Sequence, residues 1–159
     1  MKHSHKIGIC FGITSGIITT LGLLVGLSAG TQSKLVVLGG IFTIAIADAF
    51  SDSLGIHISE ESDPKNSTKE VWESTISTFI AKFLFALTFA IPVILLDLGN
   101  AVIASIAWGL LVLSILTYVV AKDQKESAPK AIFEHIFTAI VVIFLTHNLG
   151  HLINKYFGE

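Results

Sequence analysis

Along this chain apolar residues do not alternate with polar ones but gather in five long blocks, at 7–30, 35–58, 74–96, 101–121 and 131–153. Each block exceeds the roughly 18 residues that, as helix, cross about 30 Å of hydrocarbon, and each is long for an ordinary core helix. Inside a bilayer every backbone N–H and C=O must be bonded within its own segment, so helices are predicted; barrel strands would show short alternating stretches. Thr31-Gln32-Ser33-Lys34 and Asp97-Leu98-Gly99-Asn100 read as tight turns, whereas 59–73 and 122–130 are longer, charged connectors. In the connector SEESDPKNSTKEVWE, Asp63-Pro64 breaks the helix. Ser67-Thr68-Lys69-Glu70 fits a capping box opening the third helix. The predicted fold class is an all-α membrane protein of five transmembrane helices, a single membrane domain over residues 1–159.

Composition agrees with the pattern: 52% of residues are hydrophobic and only 14% charged, against about 25% charged in soluble domains. The lipid bilayer is the expected environment and multi-pass integral membrane the expected localisation, the cell membrane if the source is prokaryotic. A net charge of −2 without a basic stripe excludes a nucleic-acid partner. All basic residues are lysine, so bidentate arginine clamps on phosphate or carboxylate are absent. One cysteine, Cys10, permits no internal disulfide and reads as a small apolar packing residue. The basic start followed by an apolar stretch resembles a signal peptide, but 7–30 reaches spanning length without an obvious cleavage site and is read as a retained span.

Lysine placement predicts the orientation. With five spans, Lys2, Lys6, Lys65, Lys69, Lys122, Lys125 and Lys130 share one side, and Lys34 and Lys155 the other. Positive charge stays cytoplasmic, which predicts N-in and C-out. Asn66-Ser67-Thr68 matches the glycosylation sequon, and its cytoplasmic position makes that a chance match.

The second span carries the most informative chemistry. Asp48 and Asp52 are i, i+4 neighbours on one helical face of an otherwise apolar segment. Each acid at mid-helix costs about 2.5–3.5 kcal/mol to insert, so such residues face a cavity, a partner or an ion path. Adjacent carboxylates repel each other, and two kinds of cation would relieve them: a divalent metal taking oxygen ligands, or Lys82. At 1.5 Å per residue from the cytoplasmic ends of their spans, Lys82 lies about 12 Å deep, Asp52 about 9 Å and Asp48 about 15 Å. Ser15 lies at the same level, with Thr14, Thr19 and Thr20 near it; such hydroxyls ordinarily bond back to the i−4 carbonyl.

Elsewhere the signals are weaker. Gly8, Gly12 and Gly16, then Gly22, Gly26 and Gly30, give the first span small-residue faces suited to close helix packing within the chain, to a homodimer seam, or to both. Glu134 and His135 either close the same site or face headgroups. His147 and His151 have a spacing that can bind zinc or copper, yet no carboxylate lies with them, and an interfacial position accounts for them. His3 and His5 are a weak metal signal. Asp97 reads as a solvated end of the third span, and Trp72, Trp108 and Tyr118 suit packing or interface roles.

Two segments, Gly12-Ile13-Thr14-Ser15-Gly16-Ile17-Ile18-Thr19-Thr20-Leu21-Gly22-Leu23-Leu24-Val25-Gly26 and Ala47-Asp48-Ala49-Phe50-Ser51-Asp52-Ser53-Leu54-Gly55-Ile56-His57-Ile58-Ser59-Glu60-Glu61-Ser62, resemble the first two spans of the vacuolar iron transporter family. The five-span count, the N-in topology and a last span with Leu145-Thr146-His147-Asn148-Leu149-Gly150 are similar too. The resemblance implies a homodimer of five-span subunits exporting ferrous iron, sometimes manganese, from the cytoplasm in exchange for protons, with the site between the first two spans. Against the family pattern, Ser15 stands where an Asp is usual, Asp52 where a Met is usual, and Ile56-His57 where Glu-Tyr is usual. The long Glu-rich insert after span two is reduced to the short connector 59–73. An acid has in effect moved from one wall of the site to the other, and a carboxylate in place of a thioether favours oxygen-loving ions.

Three readings follow. In the first, a dimeric divalent-metal transporter moves Fe²⁺ or Mn²⁺ against protons. Asp48 and Asp52 are its ligands and proton carriers, Ser15 and Ser51 complete the shell, and Glu60 and Glu61 gather cations at the mouth. The metal is cargo, and no resident cofactor is expected. In the second, a non-transporting structural or regulatory relative uses Lys82 to neutralise the acids. The third, an intramembrane metal hydrolase built on His57 with Asp48 and Asp52, or on His147 and His151, has no motif tying a nucleophile or activated water to a substrate pocket, and no enzyme is expected.

Overall fold

The computed structural model describes residues 3–158; Lys2, counted above for orientation, lies outside them. The chain is 90% helical, with no strand among the described residues. Six helices are formed among the described residues: α1 (His3–Thr31), α2 (Lys34–Glu61), α3 (Thr68–Thr88), α4 (Ala90–Leu95), α5 (Leu98–Gln124) and α6 (Ala128–Phe157). Among the described residues five stretches are long and apolar enough to span a membrane, the third being α3 and α4 together over Thr68–Leu95. The interruption at Phe89 has a local cause. A proline has no N–H to offer its i−4 carbonyl and its ring tends to crowd that carbonyl, so Pro92 weakens the helical ladder here; Phe89 N–H donates to Ala86 O, an i−3 bond, at 3.2 Å.

The helices are longer than the apolar blocks, because α2 runs on to Glu61 and α3 begins at Thr68. The true connector is short and held by its own side chains. Asn66 Nδ2 donates to Glu60 O at 3.0 Å. Ser67 and Glu70 form the capping box anticipated for α3.

Many large apolar side chains point outward. Phe42, Ile46, Phe50, Leu54 and Ile58 make an exposed row at four-residue spacing along α2. Many inward positions are small or polar, among them Ser74, Thr78 and Lys82 on α3 and Ala101, Ser105, Gly109, Thr117 and Ala121 on α5, although large apolar residues such as Ile17, Leu24, Phe89 and Leu113 are buried as well. That inversion is what a bilayer dictates. Lipid gives no reward for burying Leu, so helices associate through small residues and hydrogen bonds. The exterior is consistent with a lipid environment.

The fold divides into two compact units, one of residues 3–20 with 41–90 and one of residues 21–40 with 91–158. In the first, Gly8, Gly12 and Gly16 let α1 press on α3; a Cβ on Gly12 would sit 2.6 Å from Thr78 O, and one on Gly16 3.2 Å from Lys82 O. In the second, Gly22, Gly26 and Gly30 meet α6; a Cβ on Gly26 would lie 3.4 Å from Thr146 O and one on Gly30 3.3 Å from Gly150 O. Every glycine of the α1 stripe thus has a partner within the chain. Asn154 Nδ2 donates to Gly30 O at 2.6 Å. α5 packs along α6, and Thr117 Oγ1 and His135 Nδ1 bond at 2.8 Å between them. Lys34 Nζ donates to Ile94 O (3.0 Å) and Leu96 O (2.9 Å), placing a cation at the carbonyl end of α4.

Candidate ion site

Within the first unit α1, α2 and α3 each contribute to one buried polar cluster. Lys82 is central, and its side chain is 1% exposed. The small residues of α1 are the reason it can be there. With no Cβ at Gly16, the α3 backbone at Lys82 lies against α1, which leaves the butyl stem to reach across to α2. Its ammonium ion-pairs with both Asp48 and Asp52 and donates to Ser15 Oγ at 2.9 Å. Ser15 Oγ in turn donates to Asp52 Oδ2. An ammonium has three N–H groups, and one hydroxyl and two carboxylates surround it. The pairing with Asp52 is also a hydrogen bond, whereas Asp48 Oδ2, although in contact with the ammonium, accepts no hydrogen bond from it.

With both carboxylates and the ammonium ionised, the cluster carries one formal negative charge. The acids are not sealed as the lysine is: the Asp48 side chain is 27% exposed and that of Asp52 20%. The cluster therefore has a closed side formed by Lys82 and a partly open side along α2.

Of the residues singled out in the sequence, Ser15, Asp48 and Asp52 are brought together, with Lys82 between them. Ser51 lies on an exposed face of α2. Glu60 accepts from Asn66 Nδ2 at 3.2 Å, Glu61 is exposed, and both stand at least two turns, about 12 Å, along α2 from Asp52. Of the hydroxyls near Ser15, Thr19 bonds back to Ser15 O at 2.9 Å. His135 is engaged with Thr117 of α5, and Glu134 approaches Lys130 at 3.9 Å.

Other polar links in this unit were not anticipated. Ser4 Oγ donates to Glu73 Oε2 at 2.9 Å, His5 Nδ1 meets Ser77 Oγ at 2.8 Å, and His57 Nδ1 meets Thr75 Oγ1 at 3.0 Å. The Ser77 and Thr75 hydroxyls already donate to the carbonyls of Glu73 and Val71, so in both pairs the imidazole Nδ1–H is the donor. The signal was there in the run Ser74, Thr75, Ser77, Thr78 and Lys82, too polar for a helix facing lipid on every side.

A divalent ion at this cluster would find carboxylate and hydroxyl oxygens, the donor set of a hard or borderline cation. Among the described residues no group of three or more His, Cys, Asp or Glu side chains converges, so such an ion would complete its coordination with Ser15, water or a further chain. No protein-family model matches the chain, and comparison with curated proteins finds no match.

Proposed function

We propose that this chain transports a divalent metal ion, Fe²⁺ or Mn²⁺, out of the cytoplasm in exchange for protons, with Asp48 and Asp52 as the ion's ligands and Lys82 as a built-in cation that it displaces. One observation carries the reading: a buried ammonium sits on two carboxylates that keep a negative charge to spare and a partly open face. Binding one divalent ion while the lysine gives up its proton takes the cluster from one negative charge to neutrality. Cargo and proton thereby exclude each other electrostatically, which is the requirement for exchange. The resemblance of the first two spans to the vacuolar iron transporter family supports the choice of ions and the homodimer. Ser15 would be a further oxygen ligand, with Ser51, Glu60 and Glu61 acting from the open face and the cytoplasmic mouth.

A second reading is favoured by the closed side of the same cluster. Lys82 is almost wholly buried, with two hydrogen-bond acceptors and a second carboxylate in ion-pair contact within the chain, as in a structural ion pair of a non-transporting membrane protein. The two readings part at Lys82→Gln. Proteoliposomes loaded with an Fe²⁺- and Mn²⁺-sensitive dye, under an imposed pH gradient, should show saturable influx that Asp52→Asn abolishes. Lys82→Gln should tighten the apparent metal affinity and weaken the dependence on the gradient. Absence of flux for either ion, from protein shown to be folded, rules out the transport reading and leaves the structural one.

A further inference from the structure

The second unit holds a pair of imidazoles for which neither transport nor the ion pair has a use. His147 and His151 are one turn apart on α6, both exposed, and their rings meet edge to face with centroids 4.6 Å apart. They line an open pocket of about 200 Å³ together with Ser28 and Gln32 from the end of α1 and Gly99 from the start of α5. Gln32 is held there in an uncommon way. Its backbone is left-handed, φ 51°, in a region that non-glycine residues seldom occupy, and its Nε2 donates to Ser28 O at 2.8 Å. With the amide nitrogen committed, the Gln32 carbonyl oxygen is the atom left to accept or to ligate.

The ring spacing has a chemical meaning. At a metal–nitrogen distance of about 2.0–2.1 Å an imidazole centroid lies about 3.2 Å from the ion. Two such centroids 4.6 Å apart subtend roughly 90° at the metal, within the range of tetragonal copper or nickel and of a relaxed zinc site. The helix start that opens on this pocket would repel a cation by its dipole, but the Asp97 carboxylate caps it. We propose that His147 and His151, with Gln32 as an oxygen donor, form a binding site for a borderline divalent transition ion, independent of the Asp48–Asp52–Lys82 cluster and not requiring that the chain transport metal.

The test is titration of full-length protein in detergent, with any affinity tag removed, with Cu²⁺ followed by electron paramagnetic resonance and with Zn²⁺ by dye competition. A Cu²⁺ with two-nitrogen coupling is expected at this pair, distinct from any ion held by the oxygens of the Asp48–Asp52 cluster. His147→Ala or His151→Ala should reduce the coupling to a single nitrogen and weaken binding by about tenfold or more, at least what losing a supporting residue costs a metal site. Gln32→Ala should weaken it less. The two-nitrogen coupling itself should persist in Asp52→Asn, which alters only an oxygen donor, and in His3→Ala with His5→Ala. His147→Gln and His151→Gln, which keep size and polarity, repeat the measurement if the alanine variants do not fold. Two-nitrogen coupling that survives loss of both histidines, or that disappears with His3 and His5 or with Asp52, overturns the site.

Discussion

Lys82 couples the stem of a long side chain to a charge that water scarcely reaches, so its removal tests the cluster without any assumption about transport. Lys82→Ala leaves two carboxylates facing each other with no cation and a cavity in place of the stem. Breaking a buried pair in this way costs about 3–5 kcal/mol, to be read as lost thermal stability in detergent. Ser15→Ala removes one acceptor of the ammonium and one donor to Asp52, and about 1 kcal/mol is expected. In a double-mutant cycle Asp52→Asn should recover part of the Lys82→Ala loss, because the uncompensated charge goes with it. Additive losses would mean that the two side chains do not share one site. At this scale the acids were legible from their spacing and Lys82 from its depth, since helix rise converts sequence position to level in the bilayer. Ser51 was not placed by the same reasoning. A motif neighbour of Asp52 is turned by about 100° around the helix, and here that rotation leaves it exposed.

Between elements, the same residue type has different consequences at different positions, and glycine shows it most directly. An alanine Cβ at Gly12 would lie 2.6 Å from the Thr78 carbonyl oxygen, and backbone cannot turn aside as a side-chain tip can. Gly12→Ala should destabilise by about 1–3 kcal/mol and, by parting α1 from α3, weaken the Ser15–Lys82 bond. At Gly39 nothing lies within 4 Å, so Gly39→Ala should be neutral or stabilise by up to about 1 kcal/mol through helix propensity. Thermal unfolding of the two variants checks both, and a loss at Gly39 would signal a second chain packed there. Five helical blocks were plain from apolar run length, but the ends of the helices, the capping box of α3 apart, were not, because hydropathy is silent on capping. Asp97, read as the end of the third span, is the N-cap of α5. The Asn100 backbone N–H, then its side-chain amide, hold the Asp97 carboxyl below its ordinary value. A lowered folded-state value makes this cap stabilising above the ordinary carboxylate range and lost as pH falls below it. The difference in melting temperature between the parent and Asp97→Ala should therefore be present at neutral pH and close below about pH 4.

For the molecule as a whole, orientation decides what the ion cluster can mean, because the direction of transport follows from which face meets the cytoplasm. The lysine count places Lys65, Lys69, Lys122, Lys125 and Lys130 together with the start of the chain. On the other side, Lys34 has a structural task at the carbonyl end of α4, so its presence there need not oppose the charge rule. Removing such a helix-capping charge from the count leaves the asymmetry steeper, and N-in the stronger expectation. The chain's single cysteine makes this measurable: with Cys10 replaced by serine, a cysteine placed at Lys65 or at Ser33 becomes the sole target of an impermeant maleimide. Ser33→Cys should be labelled in intact cells and Lys65→Cys only after permeabilisation. The opposite pattern would turn the molecule over, putting the α2–α3 connector outside and converting the proposed metal export into uptake, with the Asp48–Lys82–Asp52 chemistry unaltered.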